Sequence, residues 1–109
     1  MKLAIIGSRN ISVDNLDSYI SDAVTEIVSG GAIGVDSFAR EYANRKEIPL
    51  TEFLPNYSIY GKYAPLKRNQ EIAEYADAAL VFWDGKSKGT LYTINFFKKL
   101  NKSLTIILK

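Results

Sequence analysis

The sequence contains no cysteine and no histidine among its 109 residues. The first absence excludes disulfides and thiolate zinc sites. The second removes the commonest general base and metal ligand, so a nucleophilic triad that needs histidine is impossible. No acidic cluster has metal-ligand spacing, and no metal is expected. A dinucleotide GxGxxG and a Walker GxxxxGK[ST] are both missing. Hydride transfer and nucleotide hydrolysis of those kinds are therefore unsupported. Long apolar runs are absent too. The opening run, residues 3–6, breaks at Gly7 and is too short for a signal peptide's apolar region or a membrane span. The expectation is a soluble cytoplasmic protein without a membrane partner. Charge of one sign is scarce: 14 Lys and Arg stand against 12 Asp and Glu, for a net of +2. Composition alone therefore gives no argument for nucleic-acid binding. No repeat, linker or low-complexity segment occurs, and residues 1–109 suit one domain with a modest core.

What is present is an alternation. Apolar runs at 2–6, 25–28, 50–54, 78–83 and 103–108 read as strands. Between them, apolar residues recur at helical spacing. Leu16, Tyr19, Ile20, Ala23 and Val24 mark a first helix, and Val35, Phe38, Ala39, Tyr42 and Ala43 a second. A third starts at Pro65 and carries Leu66, Ile72, Ala73 and Ala76. Leu91, Ile94, Phe97 and Leu100 mark the last. Residues 56–64 read as a loop rich in tyrosine. The pattern predicts a Rossmann-like, doubly wound α/β fold: a mostly parallel sheet of about five strands with helices on both faces. In such sheets ligands bind beyond the carboxyl ends of the strands, where strand order reverses.

The chain is organised around Ser29-Gly30-Gly31-Ala32-Ile33-Gly34-Val35-Asp36. Three glycines in five residues let the backbone turn sharply between strand and helix. Backbone N–H groups at a helix start form an anion site, although a tight turn packed for its own sake reads the same way. Two other strand ends carry similar features. Gly7-Ser8-Arg9 supplies a hydroxyl and a guanidinium able to grip phosphate with two parallel hydrogen bonds. Ser87-Lys88-Gly89-Thr90 offers a second cradle, or simply an N-cap. Arg68 and Asn69 project from the first turn of their helix, where a solvated face is the plainer reading. Asp36 could accept from a ribose hydroxyl or serve its own helix dipole. Tyr57, Tyr60 and Tyr63 could stack on a base or cover the core.

Taken together, Gly7-Ser8-Arg9, residues 29–36 with Ala39, Gly61-Lys62, Arg68-Asn69 and Phe82 through Thr90 resemble the SLOG superfamily. The nearest likeness is to its small single-domain branch of YspA and cpYpsA relatives, over nearly the whole chain. The resemblance implies a Rossmann-like domain that binds a phosphorylated nucleotide or nucleotide-derived ligand, paired as a homodimer. The phosphate would rest on the N–H groups of Gly31, Ala32, Gly89 and Thr90, helped by Ser8, Arg9 and Arg68. The base or sugar would face the tyrosines. Two alternatives come with the superfamily. LOG-like N-glycosidase or phosphoribohydrolase chemistry needs a carboxylate, for which Asp36 and Asp84 are the candidates. Thr93 stands where LOG enzymes carry their glutamate, and residues 84–88 lack the PGG, which speaks against that chemistry. DprA-like single-stranded DNA binding would use a basic edge of Arg9, Lys62, Lys67, Arg68, Lys86 and Lys88.

Overall fold

A computed structural model describes residues 1–31 and 34–109. The strands are β1 (Lys2–Gly7), β2 (Glu26–Ser29), β3 (Leu50–Glu52), β4 (Ala78–Trp83) and β5 (Ser103–Leu108). The helices are α1 (Val35–Arg45), α2 (Tyr57–Tyr60), α3 (Ala64–Tyr75) and α4 (Lys88–Lys99). The strands form one sheet in the order β3-β2-β1-β4-β5, and every pairing is parallel. This is the Rossmann-like α/β arrangement that the alternation predicts. Among the described residues no helix is long and apolar enough to cross a membrane.

In the central strands β1, β2 and β4 the continuous apolar runs are explained by burial on both faces. Leu3 and Ile5 of β1, with Ala78, Leu80 and Phe82 of β4, pack against Val35, Ala39, Tyr42 and Ala43 of α1. Ala4, Ala79 and Val81 point the other way, onto Ile72 and Ala73 of α3 and Ile94 and Phe97 of α4. Adjacent residues of one strand thus feed two cores, as the period of two in a strand requires.

The first connection departs from expectation. In place of a helix over 16–24 there is a single 3₁₀ turn, Leu16–Tyr19, after which Ile20 is extended. Ser18, Tyr19, Ile20, Ser21 and Asp22 are all indifferent helix formers, and Ser21 starts a turn by accepting from the N–H of Val24. The apolar side chains are still used. Ile11, Val13, Leu16 and Val24 are buried in the α1-side core, and Tyr19 meets Phe82 edge-on at 5.4 Å. The tyrosine stretch also departs: α2 and a 3₁₀ turn, Gly61–Tyr63, replace the expected loop. Asn56 nucleates α2 by accepting from the N–H of Ile59. At the far end of α3, Lys102 donates to the carbonyls of Ala73, Glu74 and Ala76 at 2.7–2.8 Å and so caps that helix.

The 3₁₀ turn is tied to the last turn of α1. Asp17 accepts from Arg45 at 2.7 and 3.0 Å, and Lys46 lies 3.4 Å away. The Arg45 hydrogen bonds hold the Asp17 carboxyl down at about 2, against an ordinary 3.8. A carboxyl with a lowered folded value binds fewer protons folded than unfolded. Its stabilisation is therefore complete above 3.8 and is lost as pH falls toward 2. Asp17→Asn is expected to melt slightly below the wild type at neutral pH. That gap should close on acidification through this window, and high salt should narrow it because the pair is exposed. Melting curves across acid pH check both.

Candidate functional site

After β1 the chain runs outward to β2 and β3; after β4 it runs the opposite way to β5. The carboxyl ends of β1 and β4 therefore flank the point where strand order reverses, and side-by-side pairing of Gly7 with Phe82 brings them together. An open cavity of about 430 Å³ lies there. The end of β1 and the turn after it contribute Gly7, Ser8 and Arg9; the turn after β2, with the first turn of α1, contributes Gly30, Gly31 and Asp36. From α3 come Arg68 and Asn69, and from the start of α4 come Ser87, Gly89, Thr90 and Thr93. Four segments far apart in sequence meet because all of them follow strands that point the same way.

Gly30 is the seat of the charged floor. A β-carbon there would stand 2.6 Å from a guanidinium nitrogen of Arg68 and 3.1 Å from a carboxylate oxygen of Asp36. Only a residue without a side chain lets both groups close over it. Arg68 donates to the carbonyl of Gly30 at 2.8 Å and to Asn69 Oδ1 at 2.7 Å. Burial pulls the Arg68 pKa down, while the charge of Asp36, and then Tyr57, favours the protonated form. Arg68 is thus a half-buried cation already engaged in holding the turn. Arg9, by contrast, is exposed at the rim. Among the described residues that line the cavity, Arg9, Arg68 and Asp36 are the charged ones.

Several expected donors are spent locally. The N–H of Gly31 donates to Ser29 Oγ at 3.2 Å, and that of Thr90 to Ser87 Oγ at 3.4 Å. Ser29 itself is fully buried and does not line the cavity; it braces the turn from beneath. Ser87 is the N-cap of α4, with the Thr90 hydroxyl also bonded to it at 3.1 Å. Ser8 is buried and accepts from the N–H of Asp84 at 3.4 Å, which joins the β1 and β4 turns. Gly89 is exposed, and an added β-carbon would meet nothing within 4 Å. Ala32 and Ile33 lie outside the described residues.

Of the two candidate carboxylates, Asp36 lines the cavity and Asp84 does not. Asp84 instead accepts from the N–H groups of Lys86 and Ser87 at 2.8 Å each, which holds its carboxyl below the ordinary range and fixes the approach to α4. Of the three tyrosines, Tyr57 alone reaches the cavity. Tyr60 and Tyr63 are exposed outside it, with Lys67 and Lys62 near their rings. The apolar part of the wall, Ile6, Leu54, Pro55, Pro65 and Ile72, was not marked as a site in the sequence. Its only signal there is position, because Leu54-Pro55 directly follows a strand and Ile6 directly precedes a glycine turn.

Fold and site together define a parallel α/β protein of the Rossmann-like kind with a polar-floored cavity at its topological switch point. Comparison of the chain with family models, curated proteins and solved structures returns no match.

Proposed function

We propose that this chain binds a phosphorylated nucleotide or nucleotide-derived molecule in the switch-point cavity, as the SLOG resemblance implies. The observation that carries the reading is the convergence there of two arginines, the first turn of α4 and an apolar wall that includes Tyr57. Arg9 at the rim and the amide of Gly89, where the α4 dipole is positive, take the phosphate. Arg68 supports by holding the Gly30 turn and adding charge. Asp36 accepts from sugar hydroxyls, and Tyr57 covers the base.

The test is a thermal-shift screen with AMP, ADP, ADP-ribose, cyclic nucleotides, NAD and a short single-stranded oligonucleotide. A ligand at a hundredfold excess over its Kd stabilises by about 2.7 kcal/mol, a rise of roughly 11–22 °C at about 4–8 °C for each kcal/mol. Wild type is compared with Arg9→Ala and Gly89→Asp. Gly89 sits in the first turn of α4 with open space beside it, so an aspartate there suits the helix dipole by about 0.3–1 kcal/mol. Gly89→Asp should therefore melt no lower than wild type, yet lose the ligand shift through charge repulsion. A mononucleotide shift that survives in both variants, or no shift in the wild type, sinks the reading. A shift with the oligonucleotide alone moves it to nucleic-acid binding. Because Asp36 lines the cavity, turnover is the second reading. Chromatographic detection of released base, lost in Asp36→Asn while the thermal shift is kept, would establish it.

A further inference from the structure

The sheet has two edges, and they differ. The β3 edge is three residues long and ends on Glu52, which is paired with Arg40 at 3.0 Å. Short length and charge are the ordinary means by which an edge is kept from pairing. The β5 edge has neither. It runs for six residues as Ser-Leu-Thr-Ile-Ile-Leu, with no charge, proline or glycine inside it.

The main-chain directions along β5 follow from one bond. The N–H of Lys109 donates to the carbonyl of Trp83 in β4. In a parallel ladder alternate residues bond to the same neighbour, so 103, 105 and 107 face β4. Leu104, Ile106 and Leu108 therefore turn their N–H and C=O groups outward. Ile106 is 37 % exposed and Leu108 is 70 % exposed. Apolar side chains and unpaired main-chain groups are offered together by the same residues.

We propose that a second copy of this chain docks on this edge, by antiparallel pairing of the two β5 strands across a two-fold axis at Ile106. The occupant is a second copy because the edge is self-complementary. In that register all three outward residues enter hydrogen-bonded pairs: Leu104 opposite the partner's Leu108, Ile106 opposite the partner's Ile106, and Leu108 opposite the partner's Leu104. Lys109 falls opposite the partner's Ser103, so no like charges meet. Lys102 is held back by its three α3 carbonyls. Each chain has one such edge, so the assembly closes as a dimer sharing one continuous sheet. No β5 residue lines the switch-point cavity, and the inference does not rest on ligand binding.

Sedimentation equilibrium of the full chain tests it, with Ile106→Pro and Leu108→Lys beside the wild type. Proline at 106 removes only an outward N–H and leaves the ladder to β4 intact. The wild type should sediment at twice the chain mass. Both variants should sediment at the single mass with an unchanged far-UV circular dichroism spectrum. If Ile106→Pro does not fold, Leu108→Lys decides alone, because that side chain is largely outside the core. A wild type that stays monomeric up to millimolar concentration overturns the proposal. So does a dimer that persists in Leu108→Lys, or an open-ended series of larger species.

Discussion

Gly34→Ala is expected to destabilise the protein by about 3 kcal/mol, for two reasons that act at one atom. Gly34 is the N-cap of α1 and has φ +79° and ψ −128°, a backbone conformation that residues with a β-carbon rarely adopt. The added carbon would also stand 2.6 Å from the carbonyl oxygen of Arg9. That neighbour is backbone, so it cannot swing aside as a side-chain tip can. Relief requires moving the β1 turn away from the start of α1. The melting temperature should fall by roughly 15 °C, taking about 4–8 °C for each kcal/mol in a small domain. The same movement carries Arg9 out of place, so the thermal shift given by any cavity ligand should vanish along with the stability. A Gly34→Ala protein that melts within a few degrees of wild type would show that the turn and the helix start are not locked together in this way.

Phe97→Ala is expected to cost about 3–5 kcal/mol, toward the upper end of the range for a large-to-small change. Phe97 is fully buried on the α3–α4 side, where Ala4, Ala73, Ala76 and Ala79 are its companions in the core. One large ring fills a space walled partly by methyl groups. The alanines cannot swing in after truncation, and Val28, Ile72, Val81 and Ile94 of the same core are already buried among their own neighbours, so much of the cavity persists. Phe97→Leu keeps much of the volume and should cost nearer 1 kcal/mol, within the range of volume-conserving core swaps. Urea denaturation separates the two, because the midpoint should move while the slope stays constant. Equal losses for leucine and alanine would mean that ring shape, rather than filled volume, matters at this position.

The sequence was legible where one physical cause acted locally. The run Ala78-Ala79-Leu80-Val81-Phe82-Trp83 could only be satisfied by burial on both faces, and β4 spans it from end to end. Residues 103–108 also form a strand over the expected span, although as an edge strand none of them is buried. Glycine turns after strand ends predicted the cavity, because parallel strands bring such turns to one side whatever their order. The pattern failed at 16–24. Of its apolar residues Leu16 and Val24 are buried and Ile20 partly so, while Tyr19 and Ala23 stay exposed; an irregular path replaces the helix where the residues between are serine and aspartate.

By itself the sequence determined the class of fold, the strands and the set of turns from which a site could be built. Those follow from hydrophobic patterning and from the special backbone freedom of glycine, both properties of short segments. Tertiary structure alone decided how each candidate is employed. Ser29 lies beneath the turn, Ser87 caps α4, and Asp84 is tied to the amides after it; Arg68 grips Gly30 from 38 residues away while Arg9 is left at the rim. A side chain's partners depend on distances between segments remote in sequence, and those distances exist only after the sheet has set its strand order.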